Sequence, residues 1–212
     1  RIWNVKIANA DGTASWTDLL VGMGFVEQNA NKVSVANIAL ANEGTGAPFS
    51  AIRFAVRNLV RAGVVVVVAA GNNGWDLSGP DQLYGTGDDA LPASLPQSMA
   101  VSAMDATIYP QASQPADQIW PFFNYSQVAR TNDVNYGTNY VTSSGGAIDV
   151  AAPGVNVLST AGDGTGTNYT AVSGTSFAAP NLAGQSCVHA VLFHPLRILG
   201  PHRDRFRHGC VG

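Results

Sequence analysis

The sequence predicts an α/β fold: a doubly wound, mostly parallel sheet with helices on both faces. Three observations carry this. Five consecutive valines, Val64 to Val68, show no period-two alternation, the pattern of a strand buried on both faces. The segments before and around them alternate strand, helix, strand, helix, strand, which calls for right-handed crossovers. The two intervening segments repeat apolar residues at steps of three and four. The composition agrees: 46% hydrophobic and 12% charged residues suit a packed core.

Ile2 to Ala8 is the first predicted strand, closed by a turn at Asn9-Ala10-Asp11-Gly12. Ser15 to Asn29 is a helix whose Trp16, Leu19, Leu20, Met23 and Val26 share a face. Val33 to Leu40 is apolar and β-branched enough for a buried strand. Phe49 to Ala62 is a second amphipathic helix, with Ile52, Ala55, Val56, Leu59 and Val60 inward and Arg53, Arg57 and Arg61 on a solvated face. Gly63 ends it, and Val64 to Ala70 follows as the central strand. Ligands in such sheets sit beyond the carboxyl ends of the strands, where Asn72 falls.

Residues 75–96 are a loop rich in Gly, Pro and Asp, and Ser98 to Ala103 is another strand. Residues 105–146 form a polar, aromatic excursion. Ala147 to Ala151 is a strand turned by Pro153-Gly154, and Val155–Ala161 with Asn168–Val172 forms a hairpin around Gly162-Asp163-Gly164-Thr165-Gly166. A last helix opens at Ser176 and runs to about Phe193. Pro180 is read as belonging to its first turn, where a missing amide costs least. A serine at a helix start, among free amides and the positive end of the dipole, reads on its own as an ordinary cap or as an acyl-transfer nucleophile.

Three blocks decide between those readings. Gly174-Thr175-Ser176-Phe177-Ala178-Ala179-Pro180 resembles the nucleophile motif of the subtilisin-like serine proteases (subtilases). Val64–Val68 followed by Ala69-Ala70-Gly71-Asn72-Asn73-Gly74 resembles their oxyanion-asparagine block. Ile148-Asp149-Val150-Ala151-Ala152-Pro153-Gly154-Val155 resembles the segment leading to the nucleophile, and the three occur in family order. Phe123-Asn124-Tyr125-Ser126 resembles a further family block. The resemblance covers 1–185 and implies a carboxyl-terminal part of a catalytic domain, incomplete at its N-terminal side.

What the resemblance implies is serine endopeptidase chemistry on polypeptide substrates. Ser176 would be the nucleophile and Asn72 an oxyanion donor. Ala69, Ala70 and Gly71 would form one wall of the cleft, and Ala39, Leu40 and Ala41 would pair with extended substrate. Ala41 stands where the family has glycine, adding a methyl group at a close approach. The family's aspartate and histidine motifs are not found; no histidine precedes Ser176. This chain alone is therefore expected to be inactive, a fragment whose base lies upstream. The implied setting is secreted. A non-catalytic relative binding extended peptides is the alternative.

No cofactor is required for this chemistry. Asp76, Asp81, Asp88 and Asp89 match no calcium-ligand pattern and read as a solvated loop, with a structural calcium ion as the alternative. A net charge of −3 gives no general attraction to nucleic acid, and no apolar run is long enough to span a membrane. Residues 186–212 break the pattern: 4 Lys+Arg against 1 Asp+Glu, compared with 7 against 13 before them, and all histidines and cysteines of the chain. A frame-shifted or artefactual end is the reading; a basic interaction tail is one alternative, and Cys187-x-His189 with His208-x-Cys210 as a zinc site is the minor one. Asn124-Tyr125-Ser126 and Asn168-Tyr169-Thr170 fit the glycosylation triplet.

Overall fold

A computed structural model describes residues 1–41, 48–105, 118–119, 123–126, 147–161, 168–193 and 209–211. The Gly162–Gly166 turn, most of the 105–146 excursion and His208 lie outside them. The predicted α/β architecture is what the chain adopts. β1 (Ile2–Trp3), β2 (Val33–Ile38), β3 (Val65–Ala69), β4 (Met99–Asp105), β5 (Gln118–Ile119), β6 (Ile148–Pro153) and β9 (Gly209–Val211) form one sheet. Its order is β1-β9-β2-β3-β4-β5, with β6 also paired to β4, and every pairing is parallel except β4–β5. β7 (Val157–Thr160) and β8 (Tyr169–Val172) form the predicted hairpin, separate from that sheet.

The layers follow from the side-chain pattern. Val66, Val68 and Ala70 face α1 (Trp16–Gln28) and α2 (Phe49–Arg61), joining Leu19, Met23, Val26, Ile52, Val56 and Leu59 in one core. Val67 and Ala69 point the other way, against Ala178, Ala179 and Ala183 of α3 (Thr175–Phe193). The valine run is thus used on both faces, and only Val65, at the strand's start, is exposed.

Local chemistry sets the helix ends. Ser15 caps α1: its hydroxyl accepts from the Asp18 amide at 3.1 Å, and the Asp18 carboxylate accepts from the Ser15 amide at 3.1 Å. Gly22 permits the close seat of α1 on the first segment, because a Cβ there would lie 2.7 Å from Ile7 Cγ2.

Several expectations need correction. Regular β1 pairing stops at Trp3 rather than Ala8. Arg61 is exposed, but Arg53 and Arg57 are half-buried, so the three do not share one solvated face. Pro180 sits in the second turn of α3, not its first, and its missing N–H deprives the Ser176 carbonyl of its helical donor. α3 runs to Phe193 as expected, whereas β9, from the tail, is a strand the sequence did not mark, parallel between β1 and β2. Cys187 is disulfide-bonded, so its sulfur is not a thiolate free for zinc. Asn124 is fully buried, which closes it to glycosylation.

The acidic loop folds on its own amides. Asp76 Oδ1 accepts from the Ser78 amide, Asp81 Oδ1 from Leu83, Asp88 Oδ2 from Asp81 and Asp89 Oδ2 from Gly85. Asp89 is not the solvated group the sequence suggested; it is 2% exposed. Burial pushes its pKa up to about 6, against the opposing hydrogen bonds from the Gly85 amide and the Thr86 side chain. Between the unfolded value near 3.8 and about 6 the folded state holds the extra proton, so stability falls as pH rises through that window. The loss approaches about 3 kcal/mol above it, at 1.36 kcal/mol per pKa unit. Asp89→Asn is expected to be stabilising relative to the parent at pH 7.5 and near neutral at pH 4.5, read from urea midpoints. An equal difference at both pH values would contradict this.

Candidate active site

β3 delivers its last residues to the carboxyl edge of the sheet, and α3 starts at the same edge. Between them the chain must turn sharply, and Gly71 does so at φ +106°. The Gly71 amide donates to Thr175 Oγ1 at 3.0 Å. The Thr175 amide donates to Asn72 Oδ1 at 2.8 Å, and the Thr175 hydroxyl donates to the same oxygen at 3.1 Å. The Asn72 carboxamide is thereby held by its oxygen, which leaves its NH₂ as a donor. Thr175 is fully buried, and sequence reasoning passed over it; its place between Gly174 and Ser176 was the available signal.

Ser176 is the second residue of α3 and is half-buried. Its Oγ donates to the Ala39 carbonyl at 2.8 Å, just beyond the end of β2. Phe177 and Ala178 amides turn back to the Gly174 carbonyl, while among the described residues nothing accepts from the Ser176 N–H. The start of α3, with the Ser176 amide, thus lies next to Thr175, which holds the Asn72 carboxamide, at a helix end where negative charge is favoured.

The turn before Ser176 is anchored from below. The Gly174 amide donates to the Gly154 carbonyl at 2.8 Å, and the Gly154 amide donates to Met104 of β4 at 3.0 Å. A Cβ on Gly154 would lie 2.5 Å from Ala103 Cβ and 2.9 Å from the Gly174 carbonyl oxygen. Gly154→Ala is therefore expected to destabilise by about 1–3 kcal/mol through overpacking. A urea midpoint unchanged from the parent would refute it.

The other predicted residues fall as follows. Ala39, Leu40 and Ala41 leave the end of β2, with Leu40 exposed and the two alanines half-buried. The Ala69 and Ala70 methyls are fully buried in opposite cores. Among the described residues no three His, Cys, Asp or Glu side chains converge as a metal site, and no helix is long and apolar enough to cross a membrane. His189 lies thirteen residues along α3 from Ser176, which at 1.5 Å per residue is about 20 Å away along the axis.

Known proteins resemble this chain in sequence and in fold. The profile of the Subtilase family matches residues 1–189. The chain is 33% identical over 181 residues to Subtilisin-like protease 2 of Pseudogymnoascus destructans, covering 85% of this chain and 34% of that protein. It is 32% identical over 185 residues to a cuticle-degrading serine protease of Arthrobotrys oligospora, covering 87% and 35%. It is 29% identical over 188 residues to Subtilisin Savinase of Lederbergia lenta, covering 89% and 52%. The chain therefore spans about a third to a half of these relatives. Among solved structures, a cold-adapted subtilisin-like serine proteinase superposes with a TM-score of 0.60 at 24% identity, over 87% of this chain and 51% of that one, which shows the shared fold. The match over 1–189, the parallel sheet and the Ser176–Asn72 edge agree: the chain belongs to the subtilase family.

Proposed function

We propose that this chain carries the nucleophile and oxyanion side of a serine endopeptidase site, and that the general base comes from polypeptide outside residues 1–212. The observation that carries this is the pairing of Ser176, at the start of α3, with an Asn72 carboxamide locked by Thr175. In the assembled site a base takes the Ser176 Oγ proton as the oxygen attacks the substrate carbonyl carbon. The oxyanion receives the Ser176 N–H and the Asn72 NH₂. Collapse expels the amine, which leaves with the proton held by the base; water then gives a proton to that base as it attacks the acyl carbon, and Ser176 Oγ takes this proton as the acid departs.

In this chain Ser176 Oγ donates to a main-chain carbonyl, which is no base. An apolar cavity of about 200 Å³ is lined by Val5, Ile7, Asn37, Ala39 and Leu40, and so includes the residue whose carbonyl accepts from Ser176. Asn37 Oδ1 is buried beside it with no donor among the described residues. Substrate would pair its extended backbone with Ala39-Leu40-Ala41, which gives affinity, while Ala69-Ala70-Gly71 forms one wall of the cleft. A secreted setting is supported by the Cys187 disulfide, which favours an oxidising compartment.

Purified 1–212 is expected to show negligible turnover of a chromogenic peptide, and the longer product of its locus an acyl-enzyme burst. Turnover by 1–212 that Ser176→Ala abolishes would overturn the external base. A folded longer product that binds peptide without a burst would replace catalysis with peptide binding, the reading that the Ser176–Ala39 hydrogen bond also accommodates.

A further inference from the structure

The Asn72 loop has a support that the catalytic reading leaves unused. Asn124 is fully buried, and its hydrogen bonds bracket Asn72 in the chain. Before Asn72, its Nδ2 donates to the Ala70 carbonyl at 2.9 Å and its backbone amide donates to the Gly71 carbonyl at 3.0 Å. After Asn72, its Oδ1 accepts from the amides of Asn73 at 3.1 Å and Trp75 at 3.0 Å. Its own carbonyl accepts from Ser102 Oγ of β4 at 3.0 Å, tying the clamp to the sheet.

We propose that Asn124 is a positioning residue that fixes the Asn72 carboxamide for oxyanion binding by clamping the Ala70–Trp75 loop on both sides of it. The inference rests on the oxyanion reading of Asn72. The chemistry requires a carboxamide, because the same short side chain must give one hydrogen and accept two. A carboxylate supplies the acceptors but no donor for Ala70. A serine has one oxygen for all three. An alanine leaves three partners without it, the Ala70 carbonyl and the Asn73 and Trp75 amides. Because Thr175 is what otherwise holds the Asn72 side chain among the described residues, slack in the loop moves the NH₂ relative to the Ser176 amide, and oxyanion donors lose effect when displaced by a fraction of an ångström.

The test is amide hydrogen exchange and NMR on the full 212-residue chain, which needs no turnover and so stands or falls separately from the catalytic reading. Although Asn73 and Trp75 are exposed residues, their amides are expected to exchange about 100-fold or more slower than in an unstructured peptide. Asn124→Ala is expected to bring both to within about 10-fold of the unstructured rate and to abolish the contact signal between the Asn72 side chain and the Thr175 amide, with the Val67 and Val68 amides still protected. Asn124→Asp keeps the acceptor and is expected to retain protection at Asn73 and Trp75; it also serves if the alanine variant does not fold. Unprotected Asn73 and Trp75 amides in the parent chain, or loss of their protection in a folded Asn124→Asp variant, would overturn the clamp. An unchanged Asn72–Thr175 contact in a folded Asn124→Ala variant would overturn the positioning role even if the loop loosened.

Discussion

In any longer form of this protein that hydrolyses peptides, replacing Ser176 with alanine is expected to abolish acyl-enzyme formation and lower turnover by about 10⁶-fold, the size of effect known for subtilisins and carried over here rather than obtained from these distances. The substitution should be nearly silent structurally. Among the described residues the hydroxyl makes one hydrogen bond, to the Ala39 carbonyl, and the side chain is only half-buried. Losing one such bond costs on the order of 1 kcal/mol. Alanine also favours a helix. A folded variant with intact thermal unfolding and no burst is therefore the expected outcome, measured by stopped-flow with a chromogenic ester. Residual burst kinetics in Ser176→Ala would place the nucleophile elsewhere.

Asn72→Ala is expected to lower kcat by about 10²–10³ with KM little changed, because the lost donor acts on charge that develops only in the transition state. That range is again the one measured in a subtilisin for the corresponding donor. The same variant has a second, separable effect. The Thr175 amide, part of a fully buried residue, loses its acceptor, which should cost about 1–3 kcal/mol of stability. Asn72→Asp discriminates between the two: it restores an acceptor for Thr175 but presents a negative charge to the oxyanion. Its stability should exceed that of Asn72→Ala while its turnover is lower still. Equal kcat for Asn72→Asp and the parent would refute the oxyanion role.

The sheet's centre was legible because its signals are local. The valine run can only be a strand buried on both faces, and the helix before it shows its inward face at Ile52, Val56 and Leu59. Ser15 and Asp18 announce the start of α1 by spacing alone. The Ser176 block was legible as a motif, and its seat at a helix start followed. What could not be read was closure between distant segments. β9 pairs with β1 and β2 across the length of the chain, and nothing in the tail's composition marks it as a strand. Asn124 meets the Asn72 loop across 49 residues to Trp75 and 54 to Ala70, so its role appears only once β4 brings the segments together. Asp89 was misread for a related reason: an acidic residue in a Gly-rich loop looks solvated until the loop folds over it.

The most direct test is covalent labelling. The longest protein encoded at the locus is treated with a fluorophosphonate, which reacts only with a serine activated by a neighbouring base, and the adduct is mapped by mass spectrometry. The account predicts one adduct, on Ser176, absent from Ser176→Ala and absent from residues 1–212 alone. An adduct on another serine, or equal labelling of Ser176 in the 212-residue chain by itself, would contradict it.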